Sequence, residues 1–267
     1  MSLSTLADRY CPLMCRPILS RVQQSPIGKR LASGVFYLAF ASVVTKGIGL
    51  ISTILIVRIL GRESYGEYGM LLSTSTLLVT IADFGLSFSV TKFIPELLVK
   101  DRERVGKIIA LNYLSILVFS IFFAFILCIV SPWFCAYLLA APQLTGMMRL
   151  ATLMIVLASF AMIQKGILRG FQNFNGLALS EILASIVKMV FLVLGSYYDG
   201  LRGAMFGYGL GLLCENLLSS YFIHGNVKKY QIKYSFRKSH QELPILYKFS
   251  MPILFTSVIS TITYWLV

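Results

Sequence analysis

Charge is what this sequence has least of. Only 13% of its 267 residues are Asp, Glu, Lys or Arg, about half the share found in soluble domains, and a folded soluble chain of this size needs a polar surface to cover its core. The scarcity excludes an ordinary soluble globule. Acidic residues are rarer still, eleven in all, and there are two histidines. Neither His224 nor His240 stands in an H-x-x-x-D or H-x-x-E-H arrangement, and no D-x-D occurs. A membrane-embedded transferase needs a general base or metal-binding acids near one face, so the sequence reads as a non-enzyme. Cysteines number five, at 11, 15, 128, 135 and 214. That odd count implies no disulfide framework, and Cys11 and Cys15 lack the further Cys or His that a metal site would require. No metal or cofactor is expected.

What remains is apolar. Hydrophobic residues make up 57% of the chain and mean hydropathy is +0.78. They gather in windows at about 31–59, 66–91, 108–130, 148–169, 177–197 and 202–223, and another opens at 248 and reaches Val267. Each full window is about twice as long as a membrane β-strand and shows no sustained alternation, so the fold class is all-α. The expected architecture is a polytopic transmembrane bundle of six helices and the start of a seventh. Residues 1–30 form a basic tail without an apolar stretch long enough for a signal peptide. The expected divisions are the tail, a six-helix lobe over 31–223, a basic cytoplasmic loop over 224–247, and the beginning of the seventh helix over 248–267.

The formal charge of +13 comes from clusters between the apolar windows, not from a continuous basic face, which argues against nucleic acid. It fits orientation instead, because cytoplasmic loops retain Lys and Arg. With the N-terminus inside, 18 of the 24 Lys and Arg lie on the cytoplasmic side; Arg58, Arg62, Arg149 and Arg202 lie opposite, and Lys46 and Lys188 fall within windows. A cytoplasmic N-terminus follows. The outer interval 131–147 is uncharged and carries Trp133 and Tyr137, residues suited to a membrane interface.

Charges at membrane depth cost about 2.5–3.5 kcal/mol each on insertion scales and need a partner or a wet cavity. Lys46, Asp83, Glu181, Lys188 and Glu215 all lie within apolar windows, about 14–25 Å from the outer end of each at 1.5 Å per residue. They form one layer near the midplane. Glu181 and Lys188 are two turns apart on one helix face, and Lys46 and Asp83 stand at matching depth on consecutive antiparallel spans. Lys165 and Arg169 add cations at the inner end of the fourth span, where Arg can grip a diphosphate through paired hydrogen bonds and Lys can neutralise it. The competing interpretations are ion pairs that lock helices together and ordinary positive-inside residues. Glycines at 47, 49, 203, 207, 209 and 211 read mainly as close-packing positions.

Three stretches carry a resemblance: Ser33 through Lys46 to Arg58, Gly61, Tyr65, Gly66 and Tyr68; Asp83-Phe84-Gly85-Leu86 with Lys92 and Pro95; and Arg169-Gly170-Phe171-Gln172-Asn173-Phe174 ahead of Glu181 and Lys188. In this pattern and order the chain, over residues 31 to 267, resembles the bacterial polysaccharide flippase family. These are Wzx-like O-antigen and exopolysaccharide transporters of the multidrug/oligosaccharidyl-lipid/polysaccharide exporter (MOP) superfamily. The resemblance implies two six-helix lobes around a central cavity and alternating access, moving a lipid-diphosphate-linked oligosaccharide across the bacterial cytoplasmic membrane. Lys46, Lys188 and Arg169 would then hold the anion, with Lys165 at the basic entrance, while Asp83, Glu181 and Glu215 tune it or bind a coupling cation, H⁺ or Na⁺. Only one lobe is present in this sequence, so a second lobe or subunit is expected, the chain being a fragment or truncated frame of the full transporter. The alternatives are a multidrug/cation antiporter of the same superfamily and a non-transporting membrane scaffold.

Overall fold

The computed structural model describes residues 26–234 and 243–266, with side chains described from residue 34 onward, through 234 and over most of 250–263. The described residues are helical, with no strand among them. Among the described residues six α-helices run in chain order: α1 Pro26–Asp83, α2 Leu86–Lys100, α3 Arg102–Trp133, α4 Thr145–Gly170, α5 Phe174–Lys229 and α6 Leu243–Leu266. A π-helical turn, Phe134–Leu138, and a 3₁₀ turn, Pro142–Leu144, join α3 to α4. Among the described residues four segments are long and apolar enough to cross a membrane: Gly34–Asp83, Arg102–Leu138, Pro142–Gly170 and Phe174–Lys229. Their outward faces carry large apolar side chains in the open, including Phe40, Phe125, Ile129 and Leu217. Water would penalise such surface at about 25 cal/mol per Å², whereas lipid does not. The all-helical membrane bundle read from the sequence is the fold observed, and the protein is a multi-pass membrane protein.

Two of the helices are hairpins. In α5 the backbone leaves helical geometry at Asp199 and Gly200, the latter with φ 52° and ψ −131°. Beyond that break the second arm runs back along the first: Gly203 lies against Gly195, Gly207 against Phe191 and Gly211 against Lys188. The three pairs step in opposite directions along the chain, which defines an antiparallel contact. α1 breaks at Gly61, whose φ of 78° and ψ of 175° suit glycine alone among common residues. Thr45 and Leu72 line one cavity although 27 residues separate them, a distance of about 40 Å along a straight helix. The arms of α1 therefore also fold back on each other. Window 31–59 and the part of 66–91 up to Asp83 thus become the arms of α1, and 177–197 and 202–223 those of α5.

The window at 66–91 is not the one continuous helix that its hydropathy predicts. Phe84 at φ 50° and Gly85 at φ 71° reverse the chain briefly, and α2 then carries the path on to Lys100. Gly85 is sterically required as well: a Cβ there would sit 2.8 Å from the backbone oxygen of Ser250 in α6. Asp83 restarts the helix, its carboxylate accepting from the Ser87 amide at 3.2 Å and from the Ser87 hydroxyl at 2.8 Å. α2 in turn lies on α4 through Gly166 and Gly170, where added side chains would meet Ser87, Val90 and Ile94. Residues Val90, Ile94, Ile163 and Ile167 are fully buried in the cluster this creates.

Polar side chains close the remaining ends. Asp101 caps α3 by accepting from the amides of Glu103 at 3.0 Å and Arg104 at 3.2 Å, and Asn173 caps α5 by accepting from Gly176 at 3.0 Å. Gln172, at φ 55°, makes the tight corner between α4 and α5. Of the expected loop 224–247, residues up to Lys229 continue α5 helically, and 235–242 lie outside the described residues, as do Cys11 and Cys15 of the tail.

Candidate functional site

Four of the seven charged candidates meet in one place. Lys165 of α4 donates to Glu215 Oε1 at 2.6 Å and stands 3.8 Å from Glu181 Oε1, while Lys188 donates to Glu215 Oε2 at 3.0 Å. Glu215 is the hub. Its side chain is 6% exposed, against 20–30% for its three companions. Each of its oxygens is matched to a different lysine, an arrangement that satisfies a buried carboxylate by charge-assisted hydrogen bonds.

The α5 hairpin builds this contact. A Cβ on Gly211 would lie 2.7 Å from the Cβ and Cγ of Lys188, so only glycine lets the Lys188 stem lie flat across the second arm. Glu215 sits one helical turn beyond Gly211, where the ammonium of Lys188 then arrives. The same nitrogen lies 5.1 Å from the ring centroid of Tyr208, close enough for a cation–π attraction. Lys165 reaches in from α4, whose seam with α5 also holds Gln164 donating to the Ser220 hydroxyl at 2.9 Å and Asn216 donating to the Leu157 carbonyl at 2.9 Å.

The cluster faces a cavity of about 250 Å³ between the second arm of α1, α4 and α5, lined by Ser75, Thr76, Lys165, Lys188, Tyr208 and Glu215 among others. A second cavity of about 320 Å³ lies between the two arms of α1 and α5, lined by Thr45, Gly49, Ser52, Tyr65, Tyr68 and Ser185 with apolar neighbours. Leu72, Lys188 and Tyr208 belong to both walls. Together these spaces offer cations, anions and hydroxyls in an otherwise apolar shell, the composition of a binding site.

The other three candidates lie elsewhere. Lys46 is exposed on the first arm of α1 and lines neither cavity. Asp83 is 2% exposed and is spent on restarting the chain at Ser87. Arg169 is exposed in the last turn of α4, one turn from Lys165. The midplane layer read from the sequence therefore divides into a cluster and two outlying charges, and Lys165, which hydropathy places at the inner end of its span, joins that cluster as a partner of Glu215. Among the described residues no group of three His, Cys, Asp or Glu side chains converges as a metal would require.

Sequence reasoning missed Tyr208 and the hydroxyl face of α1. A signal for the latter exists: Thr45, Gly49, Ser52 and Ile56 recur at three- and four-residue spacing, the period of one helix face. Averaging hydropathy over a span conceals it.

Comparison with known proteins agrees with this architecture. The chain is 25% identical over 193 residues to Stage V sporulation protein B of Bacillus subtilis, an alignment covering 69% of this chain and 37% of that protein. An uncharacterized membrane protein of Methanocaldococcus jannaschii is 24% identical over 242 residues, covering 85% of this chain and 55% of the relative. The chain thus spans about half the length, or less, of these relatives. Among solved structures, a MATE crystal structure in the bent conformation superposes with a TM-score of 0.72 at 16% identity, over 91% of this chain and 55% of that one. A MOP superfamily transporter from Pyrococcus furiosus, described as having a binding pocket of reversed polarity, superposes with a TM-score of 0.63 at 16% identity over 86% of this chain and 52% of that one. These likenesses show the fold. The family of polysaccharide biosynthesis proteins matches residues 31–266, and with nearly the whole described chain inside that match, the chain belongs to this family.

Proposed function

We propose that this chain forms one lobe of a MOP-type membrane transporter that carries a lipid-diphosphate-linked oligosaccharide from the cytoplasmic to the outer leaflet of the bacterial cytoplasmic membrane. The observation that carries the proposal is the Lys165–Glu215–Lys188 bridge on the wall of a cavity inside the bundle, in a chain of the polysaccharide biosynthesis family. On this reading the chain crosses the bilayer six times and begins a seventh crossing, with the N-terminus in the cytoplasm, an orientation supported by the 18-to-four division of Lys and Arg.

The prenyl tail stays in lipid, along the apolar outer face. The diphosphate enters the cavity and takes hydrogen bonds from Lys165 and Lys188, which must first let go of Glu215. A buried carboxylate deprived of both partners is costly, so Glu215, with Glu181 beside it, takes up H⁺ or Na⁺ as the anion arrives. Alternating access needs a second bundle to rock against this one, supplied by a second lobe or subunit.

The test replaces Lys165 or Lys188 by Ala in the transporter expressed in its host. Surface polysaccharide is expected to fall at least about tenfold, and lipid-linked precursor to accumulate, with unchanged abundance of the protein in the membrane. Wild-type export by both variants overturns the assignment. Unchanged polysaccharide with increased sensitivity to organic cations identifies a drug extruder instead.

A further inference from the structure

The second cavity differs chemically from the first. Its wall carries one ionisable ammonium, Lys188, shared with the charged cluster, and is otherwise hydroxyl, aromatic and apolar. Three of its hydroxyls have their hydrogens committed to their own helices: Thr45 donates to the Ser42 carbonyl at 3.2 Å, Ser52 to Ile48 at 2.8 Å and Ser185 to Ile182 at 2.8 Å. Their free lone pairs are therefore acceptors in search of donors. Tyr65 and Tyr68 add two rings with centroids 6.3 Å apart, flat surfaces suited to the C–H faces of a pyranose. An anion would find one lysine already held by Glu215, and an organic cation would meet that same lysine's repulsion. A neutral polyol supplies the missing donors and incurs neither cost.

We infer that the cavity between the arms of α1 and α5 is a sugar subsite, taking the first residues of an oligosaccharide whose diphosphate occupies the neighbouring charged cavity. In such a ligand the diphosphate is bonded directly to the first sugar. The two cavities are joined in the same way, through the shared wall of Lys188, Tyr208 and Leu72.

The inference rests on the transport proposal, and its test separates the two. Gly49 is on the cavity wall, and a Cβ there would meet nothing within 4 Å; Gly47 has equal open space but lines neither cavity. Gly49→Leu therefore fills the subsite without a clash at Cβ, and Gly47→Leu is the matched control. Binding to the full chain in lipid nanodiscs is measured by calorimetry with farnesyl diphosphate and with the same lipid diphosphate carrying a neutral disaccharide. The disaccharide is expected to raise affinity about tenfold or more in wild type and in Gly47→Leu, the worth of two net hydrogen bonds. In Gly49→Leu that gain disappears while farnesyl diphosphate binds as before. Farnesyl diphosphate binding with no gain from the disaccharide in wild type, or an undiminished gain in Gly49→Leu, overturns the subsite alone. Failure of wild type to bind either ligand overturns the subsite and the transport reading together.

Discussion

Alanine at Gly207 and at Gly209 should change stability in opposite directions, although the two positions lie two residues apart on the same arm of α5. At Gly207 a Cβ would collide with the carbonyl of Phe191 and lie 2.8 Å from the Cα of Leu192. These are backbone atoms and cannot rotate aside. Restoring ordinary contact at about 3.5–4.0 Å pushes the arms apart by roughly 1 Å, loosening the Lys188–Gly211 contact one turn away and the 3.0 Å bond from Lys188 to Glu215. Overpacking of this kind costs about 1–3 kcal/mol. At Gly209 the nearest atom to a new Cβ is the Met154 terminal methyl at 3.7 Å, an ordinary contact, and alanine in a helix gains about 0.5–1 kcal/mol over glycine. The difference between the variants is therefore about 1.5–4 kcal/mol. Unfolding in mixed micelles, followed by circular dichroism against SDS mole fraction, measures it. Gly207→Ala as stable as Gly209→Ala would refute the close hairpin.

Glu215→Gln should destabilise the protein by about 3–5 kcal/mol in the same assay, because it strips two part-buried lysines of their common partner, whereas Glu181→Gln, which loses a single 3.8 Å contact, should cost under about 1 kcal/mol. Equal effects would count against Glu215 as the hub. Gly85→Ala is expected to destabilise by more than about 1 kcal/mol, since φ of 71° and the Ser250 oxygen at 2.8 Å both oppose a side chain; wild-type melting would contradict the placement of α6. Asn173→Ala should cost about 1 kcal/mol through loss of the α5 cap, and Asn173→Asp should restore most of it, a rescue that a merely steric role would not give.

Hydropathy carries the elements of this fold well and their junctions poorly. Long apolar windows made the helical bundle legible because lipid forces backbone hydrogen bonds to close within each helix. The reversals at Gly61 and Gly200 coincide with short polar gaps between windows and were legible too. The break at Phe84–Gly85 was not, because Leu86, Val90 and Ile94 keep the window apolar while the backbone briefly turns left-handed. Asp83 looked like a costly midplane charge for the same reason: its value as a cap depends on a break that composition does not reveal. Glycines likewise divide by context. Gly203, Gly207 and Gly211 are close-packed, but Gly47 and Gly49 face open space, and spacing alone treats all five alike. Within the site, Glu181, Lys188 and Glu215 were identifiable from depth, yet their partner Lys165 was read as an entrance charge, because span windows end wherever charges begin.

The cluster's charge balance bears on how a site of this kind would work. Two lysines face two glutamates, so the formal charges of the cluster cancel, and each lysine has a carboxylate partner within the protein. A purely cationic cavity would bind a diphosphate more strongly but would hold unpaired charge in an apolar shell between cycles, at several kcal/mol per ion. On the proposed reading Glu215 acts as an internal substitute for the ligand, occupying both ammonium groups until a better acceptor displaces it. Two consequences follow from that exchange. Affinity for the anion is reduced by the strength of the bridge it replaces, which favours release on the far side of the membrane. Discrimination is increased, because only a ligand that spans both ammonium groups, as the two oxygens of Glu215 do, displaces the whole bridge; a diphosphate does so with more negative charge than one carboxylate and leaves Glu215 free to accept a cation.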